Sequence, residues 1–265
     1  MERAVRMNYG RDGWVALPDV LSDAEVGKLR ERIGALSTQR RPEVVHEAGS
    51  STVRAIHGCH AFDEVCDRLI RLPVLLDIAE ALLREPVYLY QFKVNIKAAV
   101  EGKAWPWHQD FAFWHREDGM AAPDAVNIAI FLDEVDERNG PLEVIPGTHH
   151  LGLLGSDENG SENTAGKGDW RSHVSADLEH TVPAELAATL AQDWGKHKFT
   201  GPAGTAVAFH PNLVHSSSNN RSAHRRSMLF LTYNKVTNAP LNPTRPEFLV
   251  NRDTRPVVRV AESRL

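Results

Sequence analysis

The chain has 265 residues, 42% of them hydrophobic and 25% charged, enough apolar mass to bury a full core as one large or two small domains. A net charge of −5 and a pI near 6.2 argue against nucleic acid or an anionic membrane as partner, the basic residues being scattered apart from Arg225-Arg226. Met1 to Val15 is polar with no apolar h-region, and no apolar run approaches a membrane span, so the reading is a soluble, cytoplasmic protein.

In chain order, Ser22-Asp23-Ala24-Glu25 is a capping box that predicts a helix through about Leu36, with Val26, Leu29, Ile33 and Leu36 on one stripe. Cys59 and Cys66 sit among apolar residues and are expected as buried free thiols. A second helical region is predicted over Asp63 to Leu83, with Pro73 opening its second half. From Pro86 the hydrophobic period changes from 3.6 to two. Val87 to Ile96, Asn127 to Val135, Leu142 to Ile145, Thr205 to Phe209 and Met228 to Lys235 then read as strands, separated by Asn139-Gly140-Pro141, Pro146-Gly147 and Gly201-Pro202. Leu151 to Thr200 interrupts this pattern with loop composition and a short helix near Pro183 to Gln192, which marks a candidate lid. Helices followed by a run of strands predict an α+β, mainly β chain built on an antiparallel sandwich or barrel. We take residues 1–265 as a single domain: 1–85 a helical support, 86–236 the β core with its insertion at about 151–200, and 237–265 a tail.

The most informative residues are Trp107-His108-Gln109-Asp110-Phe111 and the later His215. On an extended segment, His108 and Asp110 at i and i+2 point the same way, because side chains alternate with period two. A distant histidine closing the third side gives the two-His-one-carboxylate set of non-haem Fe(II) oxygenases, though the same ligands also accept zinc. An isolated H-x-D is more often a surface pair. The context that changes this is His215 after the strand ending at Phe209, followed eleven residues later by Arg226. Gln91, Lys93 and Asn95 fall at i, i+2 and i+4 on one strand face, which on an edge strand would be a solvated face.

The chain resembles the phytanoyl-CoA dioxygenase-like family of Fe(II)/2-oxoglutarate oxygenases. The resemblance rests on Trp107-His108-Gln109-Asp110, Asn139-Gly140-Pro141-Leu142, Ile145-Pro146-Gly147-Thr148-His149, His215-Ser216 and Arg226, and runs from Asp12-Gly13-Trp14 to Arg245-Pro246-Glu247-Phe248. It implies a double-stranded β-helix (a jelly roll, cupin-like) with the N-terminal helices packed outside. It also implies iron held by His108, Asp110 and His215, with three positions left for a chelating 2-oxo acid and O₂.

For 2-oxoglutarate the resemblance implies Arg226, whose fork suits a carboxylate, with Ser217 as hydroxyl partner and Lys93, Asn95 and Gln91 nearby; Thr148 either faces the cosubstrate or serves the Pro-Gly-Thr turn. Arg225 is expected on the opposite, solvent-exposed face. The family's halogenases have a small residue at the position of Asp110, so a carboxylate there favours oxygenation. His108 to Met120 is similar to the ectoine hydroxylase branch, with Gln109, Ala112 and Phe113 replacing Ser, Glu and Thr. A small polar, amino-acid-like substrate is therefore expected, in a pocket with Phe111, Trp114, His115 and Arg245, or alternatively Arg252, for its carboxylate. His210 reads as structural, and His149, His150 and His224 as surface residues.

The expected activity is hydroxylation of an unactivated C–H bond with release of succinate and CO₂, by a monomer or homodimer. The alternatives are the same chemistry on an acyl-CoA, terpenoid or phosphonate, a zinc enzyme, or a non-catalytic cupin-like binding protein.

Overall fold

The structure, a computed structural model, describes residues 2–155, 170–176 and 178–265. Helix α1 (Glu2–Asp12) leads into strand β1 (Trp14–Leu17). Helix α2 (Asp23–Ser37) starts at the expected capping box: Ser22 Oγ accepts from Glu25 N at 3.5 Å, and Glu25 Oε2 accepts from Ser22 N at 2.8 Å. It buries the stripe Val26, Leu29, Ile33 and Leu36. Strands β2 (Val44–His46) and β3 (Val53–His57) follow, and neither was expected from the sequence.

The second helical region is two helices, α3 (Glu64–Ile70) and α4 (Pro73–Leu83). Pro73 sits at the first helical position, and its ring drives Leu72 to an extended φ of −64° and ψ of 133°, which breaks the run.

The β core comprises β4 (Val87–Lys97), β5 (Trp105–His108), β6 (Ala125–Phe131) and β7 (Leu142–Val144), then β8 (His197–Phe199), β9 (Ala206–Phe209), β10 (His215–Ser217) and β11 (Arg226–Lys235). Helices α5 (Asp110–Asp118) and α6 (Ala184–Trp194) are inserted among them. The large antiparallel sheet runs β1-β9-β6-β11-β4-β3-β2 and the small one β5-β10-β7-β8, the two layers of a jelly roll.

Alternation sorts the long strands into two faces. Phe92 and Val94, Ile128 and Ile130, and Leu229 and Leu231 pack outward with α2–α4. Ala129, Phe131, Met228 and Phe230 point inward between the sheets. Gln91, Lys93 and Asn95 share the inward face of β4, which is paired on both sides by β11 and β3. The edge-strand reading with a solvated polar face does not hold.

The insertion is less irregular than expected. Residues 156–169 and 177 lie outside the described residues, but α6 and β8 occupy much of the remainder. Cys59 and Cys66 are buried free thiols. Among the described residues no helix is long and apolar enough to cross a membrane.

Candidate active site

His108 ends β5 and faces His215, the first residue of β10, as its register partner. Asp110 departs from the expected extended segment. Gln109 is extended at φ −122° and ψ 126°, and Asp110 already begins α5. The carboxylate is thus held at a strand-to-helix junction. Gln109 locks that junction, its amide nitrogen donating to the carbonyls of Gly152 and Asn212, both at 2.7 Å.

The His108 and His215 rings lie 4.1 Å apart between centroids, and their Nε2 atoms are 3.8 and 3.7 Å from the Asp110 carboxylate. Each Nδ1 donates to a backbone carbonyl, Pro106 at 2.7 Å and Leu213 at 2.8 Å. That fixes the tautomer and leaves both Nε2 lone pairs directed at one point. Burial pushes His108 down to about 3, with the His215 ring adding to it, and burial also lowers His215, so both imidazoles are neutral ligands. Burial alone would raise the Asp110 carboxyl. The Lys93 ammonium, 3.4 Å from Oδ1, and the facing imidazoles outweigh it and hold Asp110 well below the usual range. Asn127 on β6 donates to Asp110 Oδ2 at 2.8 Å.

These ligand atoms open into a cavity between the sheets, lined also by Gln91, Lys93, Asn95, Ser217, Arg226, Trp114 and Arg245. Arg226, 2% exposed, bonds the Gly140 carbonyl through Nη2, while its Nε is buried with no partner among the described residues. Burial lowers the guanidinium to about 9, with Asp133 opposing. A buried arginine with an unanswered N–H calls for an anion, and a dicarboxylate's far end supplies one. Arg225 is half-exposed beside Asp133, as expected.

The residues 9–228 match the family described as Phytanoyl-CoA dioxygenase (PhyH). The chain belongs to this family. The L-proline trans-4-hydroxylase of Streptomyces griseoviridis is 63% identical over 265 residues, covering 98% of this chain and 96% of that protein. An ectoine dioxygenase of Sphingopyxis alaskensis is 34% identical over 265 residues, covering 95% and 83%. The crystal structure of EctD from S. alaskensis with 2-oxoglutarate and 5-hydroxyectoine aligns with a TM-score of 0.80 at 32% identity, over 96% of this chain and 85% of that one.

This PhyH-family protein is an Fe(II)- and 2-oxoglutarate-dependent dioxygenase, and His108, Asp110 and His215 are its iron triad. When bound, iron with 2-oxoglutarate and O₂ supplies the oxidising power, with succinate and CO₂ as by-products. The chain's own residues orient the triad, through the carbonyls of Pro106 and Leu213 and the amide of Asn127.

Some expected pocket residues are placed elsewhere. Thr148 is fully buried in a turn, donating to the Ile145 carbonyl at 2.7 Å and accepting from Val214 N at 3.0 Å, so both roles of its hydroxyl are taken by backbone. His115 bonds the Met120 carbonyl through Nδ1 at 2.8 Å and packs on Phe111, and both lie outside the cavity lining. Arg245 does line it but is ion-paired with Asp118, its Nε 3.0 Å from Oδ1. Arg252 bonds the carbonyl of Arg245 at 2.7 Å. His210 accepts from Asn212 N at 3.0 Å, a structural role, and His150 and His224 are exposed, whereas His149 is half-buried.

Sequence reasoning missed His57, Asn127 and His173. Asn127 stands at an inward position of an otherwise apolar strand, a polar break visible in Ala125-Val126-Asn127-Ile128. His57 and His173 lie on an unrecognised strand and in the insertion, where no period marked them.

Proposed function

We propose that this dioxygenase hydroxylates L-proline, or a cyclic amino acid closely like it, at a ring carbon. The observation that carries the reading is the 63% identity, across nearly the whole of both chains, with an L-proline trans-4-hydroxylase. The cavity is compatible with it: beside the triad stand the aromatic and aliphatic side chains Trp114, Phe113, Phe230 and Leu249, in a lining that is otherwise largely polar and charged. A small ring held against such walls presents a C–H bond to the metal while its charged head meets the polar residues.

In this reading Arg226, with Ser217 beside it, takes the far carboxylate of 2-oxoglutarate. Lys93, Asn95 and Gln91 border the cosubstrate and the iron ligands. Gln91 is anchored by donating to the Leu249 carbonyl at 2.8 Å, which ties the C-terminal tail to the cavity wall. His173, Val174 and Leu178 bring the insertion onto the same wall, where it serves as the lid. The whole chain acts as one catalytic unit, monomeric or homodimeric and cytoplasmic, on a small molecule rather than on nucleic acid or a membrane.

The test is incubation of the protein with Fe(II), 2-oxoglutarate and L-proline, with succinate and hydroxyproline isomers resolved by chromatography and mass spectrometry. Stoichiometric succinate and a single hydroxyproline isomer are expected. Turnover of ectoine with no turnover of L-proline or of any other saturated cyclic secondary-amine acid overturns the reading.

A further inference from the structure

The cavity wall holds a histidine that neither the iron triad nor the cosubstrate end uses. His57 closes β3 opposite Lys93 of β4, is 4% exposed, and lines the cavity. Its Nε2 is buried with no hydrogen-bond partner among the described residues. A buried polar atom left unanswered is costly, and an apolar side chain of similar shape would avoid that cost. The atom therefore marks a partner that the fold does not supply.

The charges around the cavity narrow what that partner is. Burial, then the nearby Lys93 and Arg245, push His57 down to about 3, so the ring is neutral and has a lone pair to offer. The carboxylates in reach are committed: Asp110 to the metal and Lys93, Asp118 to Arg245. A zwitterionic amino acid brings its own carboxylate, which offsets the positive field that Lys93 and Arg245 set up around the ring, and an ammonium that needs an uncommitted neutral acceptor.

We propose that His57 reads the substrate amine, its free ring nitrogen accepting an N–H of the cyclic amino acid's ammonium and so selecting amine-bearing substrates. The assignment rests on the amino-acid reading above. The Asn95 Oδ1 on the adjacent strand, also buried and without a partner among the described residues, is a second neutral acceptor on the same wall.

The experiment is anaerobic titration of the Fe(II)–2-oxoglutarate holoenzyme, following the visible charge-transfer band as substrate binds. L-Proline is compared with tetrahydrofuran-2-carboxylate, which replaces the amine by an ether oxygen, in wild type, His57→Phe and His57→Asn. His57→Phe is expected to weaken L-proline by about 10- to 100-fold while moving the ether analogue by no more than about twofold. His57→Asn, which keeps a neutral acceptor, restores part of the loss. The charge-transfer band without substrate stays unchanged in both variants.

Unchanged L-proline affinity in His57→Phe, equal losses for the two ligands, or loss of the band in both variants overturns the proposal. If wild type binds and turns over no cyclic amino acid, the substrate reading fails and this inference with it. Wild-type turnover combined with an indifferent His57→Phe overturns the inference alone.

Discussion

Asn127 donates its side-chain N–H to Oδ2 of Asp110 at 2.8 Å, and its own carbonyl oxygen accepts from the Thr232 hydroxyl at 2.7 Å. The iron-binding carboxylate is thus aimed by a chain of hydrogen bonds running across β6 and β11. Groups that orient a metal ligand this way contribute strongly to metal affinity. Asn127→Ala is expected to weaken Fe(II) binding by about 10- to 100-fold, and Thr232→Val by less in the same direction. Anaerobic metal titration measures both, and an unchanged affinity in the pair removes the role assigned to this relay.

Arg226 tests the cosubstrate end. Its guanidinium is buried and tethered to the Gly140 carbonyl, and its Nε has no partner among the described residues. Arg226→Lys keeps a charge but loses the planar fork, so the KM for 2-oxoglutarate should rise by about 10-fold or more, with Arg226→Ala losing further. Affinity for the amino acid, measured at saturating 2-oxoglutarate, should change far less. A variant with normal 2-oxoglutarate KM would mean that the dicarboxylate is anchored elsewhere.

The metal triad was legible because the chemistry leaves few substitutes for the His108, Asp110 and His215 set. The long strands β4, β6 and β11 were legible as apolar, β-branched and aromatic runs bounded by turn residues. Clear alternation is confined to β4 from Gln91 to Lys97, and β6 lies at Ala125–Phe131 rather than at Asn127 to Val135. Short strands were legible only where turn residues flank them, as at Leu142–Val144 and Ala206–Phe209. Val44–His46 and His197–Phe199 have three residues each, too few to display a period. Helix α5 was hidden because Phe111, Ala112, Phe113 and Trp114 are all buried, so no polar face marks it as helical. Thr148 was misplaced for a different reason: Pro-Gly-Thr suits a turn and a ligand contact equally, and only the burial of its hydroxyl between Ile145 and Val214 decides.

Asp63 gives a prediction about pH. It caps α3 through Oδ1, accepting from Val65 N at 3.1 Å and Cys66 N at 3.0 Å, and is ion-paired with Arg32. Burial would raise its carboxyl, but the Arg32 bond and the cap bonds prevail and hold it below the ordinary 3.8. A depressed folded value stabilises the protein above the unfolded pKa, and that contribution is lost as pH falls through the folded one. Asp63→Asn keeps a capping oxygen but loses the charge that pairs with Arg32, so it should cost about 0.5 to 1 kcal/mol at neutral pH. Urea unfolding at several pH values should show the gap constant down to about pH 4 and closing below it. A gap that narrows between neutrality and pH 5 would assign the effect to another group.

Arg245 and Asp118 form a buried pair beneath the cavity, 6% and 0% exposed, with the Tyr90 hydroxyl donating to the same carboxylate. Such a pair contributes little net stability against an apolar replacement, but breaking it leaves a charge stranded. Asp118→Asn is expected to cost about 3 to 5 kcal/mol, because Arg245 stays buried without its counter-ion. The double replacement Asp118→Leu with Arg245→Met should recover much of that loss, since both charges leave together. Activity should not follow stability, for Arg245 also forms part of the cavity wall. Thermal unfolding beside turnover separates the two: a double variant that melts near wild type yet binds L-proline poorly places Arg245 in the substrate's electrostatic environment. Recovery of both would reduce the pair to scaffolding.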